Sequence, residues 1–235
     1  MAAPQGRPGL AEVQGPWLGR TLRRAGTYPI LAVAGLTLLG LLLRIPSFDD
    51  SLFGDELATY YVVTGHSLGD VVHLLQGNSV TGDLSPPLFF MLAWVTHGLG
   101  DPAESLRLVS LLSGLAAIPL TYLLGVRTVG RPAALVAAAL MTLSPFLIYY
   151  TTEARAYGVT LLLVLLSTLT LLRALDSERW WWWAAYAVCS CAAIYAHYTP
   201  VYLLAAQFVW AFFARPRARL PLIAANAAVA LAYIP

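Results

Sequence analysis

The sequence is poor in charge and contains no lysine. Of its 235 residues, 14 are arginine and 12 are acidic, so 11% are charged, whereas 59% are hydrophobic. The mean hydropathy is +0.69. A soluble domain carries about 25% charged residues, so this composition excludes the ordinary soluble enzymes. It predicts an integral membrane protein.

Cysteine is also scarce, and the common catalytic motifs are missing. The two cysteines, Cys189 and Cys191, lie two positions apart in an apolar segment, so on a helix they do not share a face. They are predicted to be small core residues rather than a disulfide or a metal site. No glycine-rich phosphate loop, zinc-type His/Glu pair or Ser/His/Asp order stands out. The acidic residues are therefore the candidates for chemistry.

Long hydrophobic runs predict an all-α, polytopic bundle of about seven membrane-spanning helices. The predicted spans cover residues 25–43, 104–126, 132–150, 157–172, 180–197, 199–214 and 220–235. Several of these runs are shorter than the ~20 residues of an ordinary span but could cross a locally thinned bilayer. An eighth run at 86–99 is the shortest, with about 14 residues between Asp83 and Asp101. If it does not span, eleven of the fourteen arginines lie on the side of the N-terminus, as the positive-inside rule requires. We therefore expect 86–99 to lie on the outer surface.

The N-terminal part divides into a tail, an anchor and a polar loop. Residues 1–24 are predicted to be a disordered cytoplasmic tail, and residues 25–235 a single transmembrane domain. No small-residue cleavage site follows the first apolar run, which predicts an uncleaved anchor. Residues 44–103 form the first extracytoplasmic loop. Apolar residues at helical spacing between 56 and 76, broken near Gly65 or Gly69, give with 86–99 two interfacial amphipathic helices.

The predicted topology places most acidic side chains on the outer face. Nine of the twelve acids and all four histidines lie there, although only arginines determined the orientation. Three loops supply candidate site residues, namely Asp55-Glu56, Asp83 and Glu153-x-Arg155, with His197-Tyr198 as a fourth. A carboxylate can take a proton from an acceptor hydroxyl, and an arginine can hold a phosphate through two hydrogen bonds. This face therefore predicts an active site or a cation-binding site, and transfer of a sugar from a lipid phosphate would need little more than these groups.

A series of short motifs occurs in a characteristic order. The series comprises Asp55-Glu56, Ser85-Pro86-Pro87-Leu88, Leu106-Arg107-Leu108, Ser144-Pro145 through Tyr149, Glu153-Ala154-Arg155-Ala156-Tyr157, and His197-Tyr198. Over residues 30 to 215 this order resembles the polytopic C-type (GT-C) glycosyltransferases. The most similar members are family-39-like bacterial enzymes related to protein O-mannosyltransferases, to the lipid A aminoarabinose transferase and to lipopolysaccharide galacturonosyltransferases.

The resemblance implies that Asp55 is the catalytic base of an inverting transfer from a polyprenyl-phosphate sugar. The acceptor would be a hydroxyl on a lipid, glycan or protein at the outer face of a bacterial plasma membrane, and no nucleic acid is involved. Glu56, Asp83, Glu153, Arg155, Tyr157, His197 and Tyr198 are the expected substrate-binding residues. Ser85 stands where the family has histidine before the two prolines. The chain is also about half the usual family length, which is typical of a part of a longer protein.

Several alternatives stay open. Asp55 could be a solvated residue at a helix start, Glu56 could stabilise a helix N-terminus, and Glu153 with Arg155 could form a structural ion pair. No cofactor is predicted with certainty, but a divalent cation held by Glu56, Asp83 or Glu153 is an alternative. A transporter or flippase would carry ionisable residues in mid-membrane, and no predicted span has one. A truncated, non-catalytic relative is the third possibility.

Overall fold

The computed structural model describes residues 27–48, 50–76, 85–177 and 179–233. Within these ranges the chain is helical throughout and contains no strand, which confirms the predicted all-α class. The α-helices are α1 (Thr27–Arg44), α2 (Asp55–Val63), α3 (Leu68–Gln76), α4 (Leu88–Thr96), α5 (Pro102–Thr128), α6 (Arg131–Leu143), α7 (Pro145–Thr152), α8 (Tyr157–Asp176), α9 (Trp180–Ala196), α10 (Pro200–Ala214) and α11 (Arg219–Tyr233). The predicted tail (1–24) and Asp83 lie outside the described residues.

Helix length supports fewer spans than the seven predicted. In the part of the chain that the structure describes, three helical segments are long and apolar enough to cross a membrane: Tyr28–Ser47, which contains most of α1, together with α5 and α8. The pair α6 and α7 would make a fourth if it is one bent span. Helices α9, α10 and α11 have 17, 15 and 15 residues, below the ~20 needed to cross a bilayer of ordinary thickness. The count of seven is not confirmed.

The predicted span 132–150 is broken in the structure. Helices α6 and α7 meet at an angle of 60° at Ser144. The Ser144 hydroxyl accepts a hydrogen bond from the Leu147 amide (3.4 Å), and Pro145 occupies the first turn of α7. A serine cap followed by proline starts a new helix, because proline has no amide hydrogen to continue the preceding one. Helix α7 therefore runs in a different direction from α6 and ends directly before Glu153.

The described part of the first loop contains three short α-helices, because the first of the two predicted helices is broken, as expected. The break predicted near Gly65 or Gly69 falls at Gly65, whose φ of 79° is a left-handed conformation that favours glycine. The two parts are α2 and α3. Helix α4 covers nine residues of the run 86–99 and is ~14 Å long, too short to span a membrane. It buries Phe89, Phe90 and Ala93 in the core that also contains Val62 and Leu106.

Helix α5 is the centre of the bundle and packs against α1, α4, α6, α7 and α8. Close approach depends on glycine. A Cβ on Gly158 would lie 2.7 Å from the Ser110 carbonyl oxygen, and one on Gly114 would lie 2.4 Å from Thr151 Cβ. Small residues allow helix backbones to approach each other in this way in membrane proteins. Gly158 therefore sets how closely the start of α8 approaches α5.

The helix ends are sorted between the two ends of the bundle. At one end, α2 contacts the start of α5 and the turn before α8, and the ring of Tyr157 lies beside that of His197. At the other end, Arg127 at the end of α5 forms an ion pair with Asp176 at the end of α8. The predicted topology likewise places the loops of these two groups on opposite sides of the membrane. We call the two the acidic end and the basic end.

Candidate functional site

The centre of the acidic end is a buried ion pair that joins α2 to α5. Glu56 and Arg107 form two parallel hydrogen bonds, of 2.8 Å from Nε to Oε1 and 2.6 Å from Nη2 to Oε2. Both side chains are 5% exposed. This bidentate geometry is the strongest that an arginine and a carboxylate adopt. The pair therefore fixes the position of α2 against the bundle.

Arg107 also organises the segment that leads into α2. Its Nη1 donates to the carbonyl oxygens of Phe48 (3.1 Å) and Asp50, and its Nη2 donates to that of Ser51 (3.3 Å). The Phe53 amide in turn donates to Glu56 Oε2 (3.3 Å). One buried arginine thus holds both the carboxylate and the backbone that precedes it.

The same carboxylate connects α2 to the turn between α7 and α8. The Ala154 amide donates to Glu56 Oε1 (2.7 Å), and the Thr59 hydroxyl donates to the Ala154 carbonyl oxygen (2.9 Å). Burial alone would raise the pKa of Glu56, but the hydrogen bonds from Arg107 and Ala154 and the charge of Arg107 outweigh it. The pKa of Glu56 is therefore lowered, so the group stays ionised. The structure brings together the two acidic segments that the sequence places about one hundred residues apart.

Asp55 has the opposite environment from its neighbour. It is the first residue of α2 and is exposed, and it forms no hydrogen bond or ion pair with the residues that the structure describes. After burial and the charge of Glu56, the charge of Asp55 is a smaller cause of the raised pKa of Glu153. An exposed carboxylate on a rigidly held helix start is available to take a proton from a bound hydroxyl.

Glu153 lies in the turn that receives α2. Its Oε2 atom is buried and has no hydrogen-bond partner among the described residues. Burial, followed by the negative charge of Glu56, raises the pKa of Glu153, although Arg155 acts in the opposite direction. The charged form is therefore disfavoured here. A plain structural ion pair between Glu153 and Arg155 is not among the salt bridges of the described residues.

Arg155, Tyr157 and His197 line one small cleft of about 10 Å³, about the size of one water molecule. The other lining residues are Ser85, Phe89, Phe90 and Ala156. The Arg155 Nη2 atom donates to the Ser85 hydroxyl at 3.4 Å. The residue at the position where the family has histidine is therefore part of this cleft.

The tautomer of His197 follows from its contacts. The Thr199 amide donates to His197 Nδ1 (3.2 Å), so Nδ1 is the acceptor and the proton of the neutral ring lies on Nε2. The His197 ring centroid is 5.8 Å from that of Tyr157. Tyr198, which was predicted to bind substrate together with His197, does not line the cleft. It is 48% exposed and interacts with Tyr233.

The cation alternative receives no geometric support from the described residues. No three histidine, cysteine or acidic side chains come together there as a metal site. Asp83, one of the three carboxylates named for it, lies outside those residues. Glu56 directs both carboxylate oxygens to donors of the protein.

Sequence reasoning assigned no role to Arg107, which holds the site together. A signal was present, since Arg107 is one of only three arginines that the topology places on the acidic face. The others are Arg44 and Arg155. Arg44 is fully buried and donates to Thr151 Oγ1 (2.8 Å) and the Gly40 carbonyl oxygen (2.9 Å), which ties α1 to α7.

The fold and this site together define a helical membrane protein with a carboxylate–arginine site where several helix ends meet. The chain belongs to the dolichyl-phosphate-mannose-protein mannosyltransferase family, since the sequence model of that family matches residues 84–235. The match confirms the resemblance to the C-type glycosyltransferases. It includes Arg107, Arg155 and His197, whereas Asp55 and Glu56 precede it. No curated protein and no solved structure matches the chain.

Proposed function

We propose that this membrane glycosyltransferase transfers a sugar from a polyprenyl phosphate to an acceptor hydroxyl, with Asp55 as the base. One observation carries the proposal: Asp55 is exposed and unpaired among the described residues, while Glu56 beside it is locked to Arg107 and to Ala154. The lock holds the start of α2, which carries Asp55, against the turn that carries Arg155. A base must be held in place and yet be free to react.

The reaction is a single displacement. Asp55 accepts the proton of the acceptor hydroxyl as its oxygen forms a bond to the anomeric carbon. The bond from that carbon to the phosphate oxygen breaks, and the electron pair leaves with the polyprenyl phosphate. Attack from the side opposite the leaving group inverts the anomeric centre, by analogy with inverting glycoside hydrolysis. The protein therefore needs a base on one side and a cation on the other.

Arg155 is the cation that we propose for the departing phosphate. It lies in the cleft with Ser85, Tyr157 and His197, whose hydroxyl, phenol and Nε2–H groups can all donate hydrogen bonds. Donors of this kind stabilise the charge that develops on the leaving phosphate. The cleft is too small for a sugar ring, so the sugar would lie outside it, towards Asp55, with only phosphate oxygens at Arg155.

The remaining predicted residues receive different roles. Both oxygens of Glu56 accept hydrogen bonds from the protein, so we propose that Glu56 positions Asp55 rather than binding substrate. Glu153 and Asp83 remain proposed contacts to the acceptor or the sugar. We place the reaction on the extracytoplasmic face of a bacterial plasma membrane, because the arginine-rich loops belong on the cytoplasmic side.

Replacement of Asp55 by asparagine tests the proposal. The exposed side chain makes no contact that folding requires, so Asp55→Asn should unfold at the wild-type temperature. Its turnover should fall by ~100-fold or more, because a general base contributes roughly that much. The measurement is release of polyprenyl phosphate from polyprenyl-phosphate mannose by the purified protein in detergent.

Asp70→Asn is the matched control, since Asp70 is an exposed acid of the same loop whose carboxylate only accepts hydrogen bonds from Ser67. It should retain wild-type turnover. Wild-type turnover in Asp55→Asn would exclude Asp55 as the base. A wild-type chain that binds the donor without any turnover would favour the non-catalytic relative.

A further inference from the structure

The basic end of the bundle contains two stacked tryptophans, and the guanidinium group of an arginine lies over each of their rings. Trp181 and Trp182 lie with ring centroids 4.8 Å apart and an angle of 27° between their planes. The Arg173 guanidinium carbon is 5.2 Å from the Trp182 ring centroid, and that of Arg179 is 5.8 Å from the Trp181 ring centroid. We call these four residues the Arg–Trp cluster. It joins the end of α8 to the start of α9.

The surroundings of the Arg–Trp cluster are strongly positive. The sequence places seven arginines in the three loops at this end (127, 131, 173, 179, 215, 217 and 219) but only two acids, at 176 and 178. The loops at this end therefore carry a net positive charge, which favours an anionic partner.

The cluster also has exposed indole rings at a helix end. Trp181 is 45% exposed and its neighbour Trp180 is 77% exposed, and both lie at the start of the apolar helix α9. Indole rings favour the headgroup layer of a bilayer. A guanidinium stacked on an indole presents its N–H groups at the edge, where they can bind a phosphate bidentately. Both features bring an arginine pair to the level of lipid phosphates.

We propose that the Arg–Trp cluster binds the headgroup phosphate of an anionic phospholipid of the surrounding bilayer. Each guanidinium group, that of Arg173 on Trp182 and that of Arg179 on Trp181, binds a headgroup phosphate, and its indole holds it in place. The net positive charge around the cluster selects anionic over zwitterionic headgroups. This site lies at the end of the bundle opposite Asp55, and it does not depend on the proposed reaction.

The test uses the whole chain, purified in a neutral detergent, and native mass spectrometry with added phosphatidylglycerol or phosphatidylcholine. The wild-type protein should bind phosphatidylglycerol more tightly. Arg173→Gln/Arg179→Gln should weaken that binding by about 25-fold, since each arginine near the membrane surface contributes about fivefold. Phosphatidylcholine binding should change by less than about twofold, because its headgroup carries no net charge to be attracted.

The control Arg215→Gln/Arg217→Gln removes the same charge from the same end without touching the cluster, and it should keep most of the phosphatidylglycerol binding. Equal weakening in the two double variants would show that total charge matters and would overturn the site. Equal wild-type affinity for the two lipids would overturn it as well. Arg179 is exposed, so Arg179→Gln alone provides a variant that folds. It should weaken phosphatidylglycerol binding about fivefold.

Discussion

At the scale of single residues, two neighbouring acids have opposite environments. Asp55 and Glu56 are adjacent in the first turn of α2, yet one is exposed and the other is buried against Arg107. A helix turns by about 100° per residue, so neighbours point in different directions. The side chain that faces the bundle stabilises the fold, and the one that faces solvent is free for chemistry.

Removing the charge of Glu56 tests whether its ion pair with Arg107 stabilises the fold. In Glu56→Gln the amide would present a donor to Arg107 in place of a carboxylate oxygen. Breaking a buried pair by changing one partner costs about 3 to 5 kcal/mol in the free energy of unfolding. Thermal unfolding in detergent should show this loss. Glu104→Gln changes an exposed acid in the first turn of α5 and should leave stability within about 0.5 kcal/mol of wild type. An equally stable Glu56→Gln would contradict the proposed lock.

The raised pKa of Glu153 predicts that its replacement increases stability, whereas replacement of Glu56 decreases it. Because its pKa is raised in the folded state, ionisation of Glu153 destabilises the fold, and stability should fall as pH rises above the ordinary glutamate pKa of about 4.3. Glu153→Gln removes this effect. The variant should unfold at a higher temperature than wild type at pH 7, and the two should converge near pH 4.

Unfolding temperatures measured from pH 4 to pH 8 check this expectation. Glu56, with its lowered pKa, contributes stability that is present above its ordinary pKa and is lost only as pH falls through its folded pKa. Its titration therefore lies below the range in which Glu153 acts. A Glu153→Gln curve parallel to that of wild type would show that Glu153 is not destabilised by burial.

At the scale of helices, contact between α5 and α8 positions the turn that carries Arg155. The Ser110 hydroxyl donates to the Arg155 carbonyl oxygen at 2.8 Å, directly beside the point where Gly158 meets the Ser110 backbone. A side chain at 158 cannot be accommodated by rotation of a flexible group, since its neighbour is backbone. The turn and the helix contact are therefore coupled.

Gly158→Ala should separate α8 from α5 and displace Arg155. We expect a loss of about 1 to 3 kcal/mol in the free energy of unfolding, typical of overpacking. Transfer activity should fall together with stability. Gly35→Ala is the matched control, because nothing lies within 4 Å of a Cβ at Gly35 in α1. That change should be neutral or stabilise the helix by up to about 1 kcal/mol. Comparable losses in both variants would assign the effect to helix glycines in general.

At the scale of the whole molecule, the bundle separates acidic from basic loops. The structure shows that the Asp55 segment and Glu153 share one end, while Arg127 and Asp176 meet at the other. Charge separation of this kind orients a helical protein in a membrane. The orientation itself follows from the arginine distribution and is a prediction.

Cysteine accessibility tests the orientation. In a background with Cys189→Ala and Cys191→Ala, we introduce Ser51→Cys at the acidic end or Thr128→Cys at the basic end. Both positions are exposed. A membrane-impermeant maleimide should label Ser51→Cys in right-side-out vesicles and Thr128→Cys only in inverted ones. Labelling of both from one side would contradict the arrangement, and reversed labelling would invert the proposed face of the reaction.

The sequence alone determined the class of the protein and most of its local structure. Hydrophobic run length and the arginine distribution predicted the helix positions and the sorting of loops, and helical periodicity predicted a break near Gly65 or Gly69, because periodicity and charge are properties of short segments. Motif order was enough for the family resemblance. The span count of seven is not confirmed, because α9 to α11 have 17, 15 and 15 residues, about as few as the predicted runs themselves.

Only the tertiary structure decided which charged groups are structural. Nothing in the local sequence shows that Glu56 bonds to Arg107, 51 positions away, or to the amide of Ala154, 98 positions away. Such partners depend on how α2 packs against α5 and the turn before α8, which no short pattern encodes. Because a buried charge must be paired whereas an exposed one need not be, burial separated the role of Glu56 from that of Asp55.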